Sequence, residues 1–477
     1  MNLGMVLKSP LFRLWLLVAA FCLAWAEVGR LTGVVARPVL AGLTGGSLSW
    51  WDLPAVFHVL ALTAAGGSAW LAGRLLVQNV PFPRSTGARI LAAAVILLGL
   101  FLCLNQFGEL DNVTSRVTDF GTIHRGSVAL FAGDDPYAAT DGAYFYPPLL
   151  AFLFGPVALL PVAAASLLFF SLKFVMLVWT LAACFRLVGG DEFTGGRRAL
   201  FLFGIIFVAS RFWIADLQYG NTNVVILWLV TGAIVWDRQG RSLWAGLALA
   251  LAVSIKIVPA VLALHFLILG RWRTLAYFAG ALVVINLLPW LWLQGHWWET
   301  WRAYLDAGVV GKLSQRLAQP DNQSLWGVVN RIFPDTPLAS LRGVWFAAGS
   351  VLGLFAGLVS WASRRRGPLA GVAAASIYPL LGLMVSPGSW VVHYTAVLLP
   401  MSVLWMIALS GRWSGRWTWP LLAVTNFAFT ASGWARPTVH ASITQSWFVA
   451  AVLLLMVGLG IWVWSRAGGG GGTGETC

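Results

Sequence analysis

Charge is what this chain has least of. Only 10% of its 477 residues are Asp, Glu, Lys or Arg, where a soluble domain carries about 25%. Acid is the scarcer sign, with 17 residues against 31 basic ones. Cysteine and histidine are also sparse, at four and six. Cys22, Cys103, Cys184 and Cys477 lie far apart, so no spacing matches a disulfide framework or a zinc site. These scarcities argue against a soluble domain, a disulfide scaffold and a zinc module. The net charge of +14 raises nucleic acid as a partner. The basic residues are spread over short loops and form no cluster, so no nucleic-acid partner is expected.

Apolar length is abundant instead. Hydrophobic residues make up 59% of the chain, and they fall in runs near the roughly 20 residues that cross a bilayer. The 28 Trp residues suit interfacial belts, with some packed inside. The expected fold class is an all-α polytopic membrane protein with about 14 membrane helices and outer-face loops. The spans are placed near 11–28, 54–73, 89–107, 164–185, 199–214, 223–236, 243–255, 258–270, 275–293, 343–362, 368–385, 392–409, 418–433 and 445–464. Residues 1–88 read as a two-helix N-terminal extension, 89–466 as the main membrane domain, and 467–477 as a disordered Gly-rich tail. The opening residues, with a basic head, an apolar stretch and "AWA" before Glu27, suit a signal peptide or a first membrane helix. The helix is the reading adopted.

Threading the chain from the inside puts 18 of the 31 basic residues, and only four of the 17 acids, on the inner side. That asymmetry agrees with the preference of Lys and Arg for the cytoplasmic side. Two segments test the threading. "YPPLLAFLFGPVALLP", Tyr146 to Pro161, is apolar but short and reads as a helix lying at, or dipping into, the outer face. "LWAGLALALAVSIKIVPAVLALHFLILG" contains Pro259, which disfavours an unbroken helix. It reads as two short helices meeting at Lys256, their junction in a protein-lined cavity.

The unusual polar stretches then share the outer face. "TDFGTIHRGSVALFAGDDPY", Thr118 to Tyr137, reads as a polar loop holding Asp119, His124, Arg125, Asp134 and Asp135. Asp119 suits a general base or a solvated loop acid; Asp134 and Asp135, before a Pro and after a Gly, suit a turn. "DLQYGNTN" spans Asp216 to Asn223. Lys256 interrupts an apolar run, which makes it a candidate for a phosphate or a snorkelling side chain. Lys173, in another such run, reads as snorkelling or paired. In "QPDNQSLWGVVNRIF", Asn322, Gln323 and Ser324 can meet sugar hydroxyls, and Asp321 or Asn322 can cap the following helix. His393 in "SPGSWVVHY" suits a phosphate, a proton shuttle or a satisfied interfacial role.

Taken in order, "DF" at Asp119, "GDDPY" at Gly133, "YPPLL" at Tyr146, "GNTN" at Gly220, "IKIVP" at Ile255, "NQSLWG" at Asn322 and "SPGSWVVHY" at Ser386 resemble glycosyltransferase family 87. These are the polyprenyl-phosphate-mannose-dependent mannosyltransferases of the GT-C superfamily. The resemblance implies a lipid-phosphate sugar donor, a lipid or glycan acceptor, an outer-face site, and Asp119 as base. It implies residence in the plasma (inner) membrane with the site facing the periplasm or exterior. Lys256, His393 and Arg331 are expected to meet the donor phosphate; Gln218, Asn221, Asn322 and Gln323 to orient the sugar; Tyr146 to line the site. No cofactor and no metal are expected, because the leaving group is already a monophosphate facing cations. The competing class is a transporter or flippase of lipid-linked sugars.

Overall fold

Phe120, Ile123 and Leu130 share one buried face with the hydroxyl of Ser127. Thr118 caps this run, its side chain accepting the Gly121 N–H, and Gly133 closes it in the left-handed region (φ 86°), where glycine has no Cβ penalty. The result is helix α1, Asp119–Ala132, where the sequence suggested a polar loop. Glycines at 121 and 126 and the polar insertions dilute the helical period, and that is why the loop reading misled. Asp119 lies in the first turn, where a carboxylate interacts favourably with the helix dipole. The "GDDPY" segment is a turn, as expected: Asp135 Oδ1 accepts the Tyr137 N–H at 2.9 Å.

The computed structural model describes residues 118–160, 162–306, 317–319, 321–413, 415–431 and 446–465. The expected spans 11–28, 54–73 and 89–107, the 1–88 extension and the 467–477 tail lie outside the described residues. After α1 come α2 (Pro148–Ala158), α3 (Val162–Leu187), α4 (Gly195–Tyr219), α5 (Asn223–Arg238), α6 (Ser242–Ile255), α7 (Val261–Ile268) and α8 (Trp272–Leu287). Then follow α9 (Gly295–Tyr304), α10 (Leu325–Ile332), α11 (Leu338–Ser363), α12 (Pro368–Val385), α13 (Leu398–Ser410), α14 (Gly415–Ala431) and α15 (Trp447–Ser465). No β-strand occurs among the described residues.

Among the described residues, six stretches are long and apolar enough to cross a membrane: Leu168–Leu187, Gly195–Tyr219, Leu338–Ser363, Pro368–Val385, Val391–Ser410 and Trp447–Ser465. They fall on six of the eleven expected spans that lie wholly or partly within the described residues. Four of the others coincide with shorter helices, α5, α6, α7 and α8, the longest of 16 residues, and the expected span 418–433 extends beyond the described residues. At 1.5 Å per residue such helices fall short of a roughly 30 Å hydrocarbon core. α2, with 11 residues, is likewise too short to span, as the threading requires. α6 ends at Ile255, Lys256 is extended, and a 3-10 turn at Val258–Ala260 leads into α7, so the expected break at Lys256 is present. α11 turns Phe346, Val351, Leu354 and Trp361 outward, each more than half exposed. An apolar outer face of that length suits lipid, not water.

The chain divides into two compact units. The first comprises 1–182, 214–228 and 289–304; the second comprises 183–213, 229–288 and 305–477. Within the first, α1 packs on α2 and α2 on α9. Ser127 Oγ donates to the Ala151 carbonyl at 2.7 Å, holding α1 and α2 in register. Within the second, α6 packs on α8, α11 on α12, and α12 on α15. The face of α10 bearing Trp326 and Val329 joins Leu341 of α11 in a small core.

Candidate active site

In the first unit, the short link between α4 and α5 reaches the start of α1. α4 ends at Tyr219, Gly220 adopts φ +64°, and α5 begins at Asn223. Asp216 turns from the last helical turn of α4 to the N-terminus of α5. Its carboxylate accepts the Asn223 N–H at 2.9 Å and the Val224 N–H at 3.4 Å, satisfying donors that an α-helix leaves open at its start. Lys173 of α3 meets the same carboxylate at 2.7 Å, with both side chains essentially buried. Its Nζ also donates to the Asp216 carbonyl at 2.7 Å and stands 5.3 Å from the centre of the Phe169 ring. Lys173 is therefore paired, one of the two readings its sequence context allowed.

From Asp216 the network runs outward. Asn223 Nδ2 donates to Asn221 Oδ1 at 2.7 Å, as does the Thr222 N–H at 2.7 Å. With its oxygen committed, the Asn221 amide points its nitrogen at Asp119 and donates to Oδ2 at 2.8 Å. Tyr146 donates to the other oxygen, Oδ1, at 3.4 Å. Asp216, Asn221, Asn223, Lys173 and Tyr146 are all buried, whereas Asp119 is half-buried. The carboxylate is thus the accessible end of an otherwise enclosed polar chain.

Tyr146 belongs to an aromatic wall. Its ring lies 5.7 Å from Tyr144 and 5.1 Å from Phe145, and its carbonyl accepts the Tyr137 hydroxyl at 2.8 Å. Tyr137 in turn lies 6.1 Å from Tyr304 of α9. Burial, reinforced by Asp119 and Asp216, raises the Tyr146 hydroxyl well above the ordinary phenol range. The proton stays on, so Tyr146 serves the carboxylate as a donor. Burial also pushes Tyr304 up to about 12. His124 faces the other way, its Nε2 3.4 Å from the Leu160 carbonyl, and burial lowers its pKa.

Gly220 sets the geometry of the link. A Cβ there would lie 2.4 Å from Cβ of Phe120, the neighbour of Asp119, and the positive φ is strained for any other L-residue. Gly220→Ala is expected to cost about 1–3 kcal/mol in stability and to move Asn221 off Asp119. Activity should fall at least tenfold while Gly133→Ala, at a C-cap with open space around it, falls far less. Paired activity and melting measurements on the two variants check this.

The second unit gathers most of the remaining sequence candidates. Asn322 is fully buried and its amide is used up by the chain. Nδ2 donates to the Leu317 and Pro387 carbonyls, each at 3.0 Å. Oδ1 accepts from the Ser324 N–H at 3.2 Å, the Ser324 hydroxyl at 2.9 Å and the Ser389 N–H at 3.0 Å. Asn322 therefore ties the "NQS" segment to the "SPGS" segment. The cap of α10 is Ser324, accepting the Gly327 N–H at 3.1 Å, and not Asp321 or Asn322. Gln323 continues the tie: its N–H donates to the Ser389 carbonyl at 2.8 Å, and its carbonyl accepts the Tyr394 hydroxyl at 2.7 Å. Arg331 donates Nη1 to the Gln319 and Asn322 carbonyls at 2.9 and 2.8 Å and Nη2 to the Ser446 hydroxyl. His393 is half-buried and accepts the Trp390 N–H on Nδ1 at 2.8 Å, so a neutral ring carries its proton on Nε2. Lys256 is half-buried at the end of α6. Asn322→Ala is expected to strand buried donors at about 1–3 kcal/mol each, so the melting temperature should drop clearly; Asp321→Ala, at an exposed position, should leave it unchanged.

The structure thus joins Asp119, Tyr146 and Asn221 in one hydrogen-bonded group. It joins Asn322, Gln323 and Arg331, with His393 on the adjoining segment, in another. Gln218 lies half-buried on the last turn of α4 and Lys256 on its own junction. Sequence reasoning missed the roles of Asp216 and Asn223. The available signal was a pair of opposite charges, Lys173 and Asp216, each embedded in an apolar run.

The chain is similar to known proteins. Residues 144–387 match the model of Glycosyltransferase family 87. A polyprenol-phosphate-mannose-dependent alpha-(1-2)-phosphatidylinositol mannoside mannosyltransferase of Mycolicibacterium smegmatis is 30% identical over 73% of this chain and 84% of its own. One of the same description from Mycobacterium tuberculosis is 29% identical over 65% and 75%. A pentamannoside-directed relative of M. smegmatis is 27% identical over 64% and 72%. The matched region begins within the aromatic wall beside Asp119 and runs to the segment tied by Asn322, so both hydrogen-bonded groups fall in or beside it: the chain is a membrane glycosyltransferase and belongs to glycosyltransferase family 87.

Proposed function

We propose that the chain transfers mannose from a polyprenyl-phosphate mannose to a hydroxyl of a lipid-linked or glycan acceptor, at the outer face of the plasma (inner) membrane, with inversion at the anomeric carbon. The observation that carries this reading is a half-buried carboxylate held by two fixed donors, Asn221 and Tyr146. Each Asp119 oxygen keeps lone-pair capacity for an incoming proton. The substrates after which the relatives are named, polyprenol-phosphate-mannose and phosphatidylinositol mannosides, suggest the donor and acceptor classes.

In the proposed step the acceptor hydroxyl gives its proton to the Asp119 carboxylate. Its oxygen bonds the anomeric carbon from the face opposite the phosphate. The carbon–oxygen bond to the phosphate breaks, and polyprenyl phosphate leaves with the electron pair. Lys256, His393 and Arg331 keep their proposed role toward the developing phosphate charge, and Gln218 and Gln323 theirs toward sugar hydroxyls. Asn221 and Asn322 act as positioning residues, because their amides are committed inside the protein. The GT-C fold, the fourteen-span count and the GT-C-like catalytic domain over 89–466 belong to the same proposal.

An inverting enzyme that makes an α-linkage needs a β-linked donor. Purified protein is expected to make α-mannosylated phosphatidylinositol mannoside from the β-configured donor and nothing from the α-configured one, read by NMR of the product. A β-linked product from the β-configured donor would overturn the inverting mechanism.

A further inference from the structure

A second polar site lies in the second unit, where α3, α5, α11 and α13 end and α12 begins. A cavity of about 770 Å³ there is lined by Arg186, Arg238, Arg365, Arg366 and Arg412, with Glu192 the one acidic residue among its lining groups. The first four residues of the stretch opening α12, Gly367 to Ala370, also line it. A helix start presents open N–H groups and positive partial charge.

Helix ends commonly carry one basic residue, which complements the dipole at a C-terminus and suits the cytoplasmic surface. That accounts for single arginines on separate helices. It does not account for five of them around one cavity with a single acid. Arg412 pairs with Glu192 at 2.7 Å, which neutralises one guanidinium. Arg238 donates Nη1 to the Pro368 carbonyl at 2.8 Å, which fixes its position and leaves its charge. The side chains of Arg186 and Arg365 make no hydrogen bond or ion pair among the described residues. Arg366 packs 5.6 Å from the centre of the Trp464 ring, while its Nη1 is buried with no partner among the described residues. An orphaned guanidinium nitrogen costs free energy unless something accepts its proton.

We propose that this cavity binds a phosphoryl anion carrying at least two negative charges, presented either by a lipid headgroup or by a soluble diphosphate. Guanidinium forks match phosphoryl oxygens in pairs, and the volume exceeds what a single inorganic phosphate fills. The site shares no residue with the Asp119 group and does not depend on the reaction assigned to it.

The test uses the full chain, purified, with two probes. Inorganic pyrophosphate is titrated in detergent by calorimetry. Cardiolipin retention is read by native mass spectrometry after release from phosphatidylcholine nanodiscs containing one-tenth cardiolipin. Each is repeated on the double variant Arg186→Gln/Arg365→Gln and on the control Arg273→Gln, a basic residue outside the cavity, after melting curves show both folded. Binding that weakens at least tenfold in the double variant and less than twofold in the control supports the site. Pyrophosphate alone identifies a soluble ligand, and cardiolipin alone a headgroup. Absence of both from wild type, or equal binding by the double variant, overturns the proposal.

Discussion

Asp119→Asn is expected to lower mannosyl transfer by about 100- to 10,000-fold, the range a positioned general base contributes, without unfolding the protein. The substitution is nearly isosteric. The substituted amide can turn its oxygen toward the Asn221 donor and keep the 2.8 Å contact, so the network survives while the proton acceptor is lost. Tyr146→Phe removes only the 3.4 Å donor and is expected to cost about tenfold or less, because a hydroxyl that far from the carboxylate makes a long, weak hydrogen bond. Rates measured at saturating donor, beside melting curves, separate the two roles. An Asp119→Asn protein that turns over at the wild-type rate would remove Asp119 from the chemistry.

The second large effect is expected at the buried pair behind it. Asp216→Leu leaves the Lys173 ammonium without its counter-charge and opens the N-terminus of α5. Removing one partner of a buried ion pair costs about 3–5 kcal/mol, enough to lower expression as well as melting temperature. Lys173→Met/Asp216→Leu removes both charges and is expected to recover much of that stability, because a well-packed apolar pair often equals a buried ionic one. Activity should stay low in the double variant. The Asn223 N–H loses its acceptor, and Asn221 then loses the alignment that Asn223 gives it. Recovery of melting temperature without recovery of rate is the signature of a positioning pair. Recovery of both would reduce the pair to a packing element.

The helical architecture was legible because apolar runs and basic loops carry a strong membrane signal. α3, α12 and α15 sit within a few residues of their expected positions. The break at Lys256 was legible from Pro259. The helix bearing Asp119 was not: its buried face alternates Phe120 and Ile123 with Gly, Thr and Ser, residues whose local signal is that of a loop. Asp119 itself stood out from its surroundings and its motif order. Its supports did not, because the partners lie far off in sequence: Asn221 is 102 residues away, and Lys173 and Asp216 are 43 apart. The same distance effect hid the commitment of Asn322, whose amide is consumed by residues up to 67 positions away. A polar residue in an apolar chain signals that something must satisfy it; the sequence does not say whether that partner is a substrate or the protein.

The most direct test of the central claim is stoichiometry. Purified chain is incubated with polyprenyl-phosphate mannose and a phosphatidylinositol mannoside, and mannosylated acceptor and free polyprenyl phosphate are counted together. Mannosyl transfer predicts that the two appear one for one and stop together in Asp119→Asn. Movement of intact donor across a proteoliposome membrane, with no polyprenyl phosphate released, would contradict it and make the protein a carrier of lipid-linked sugar.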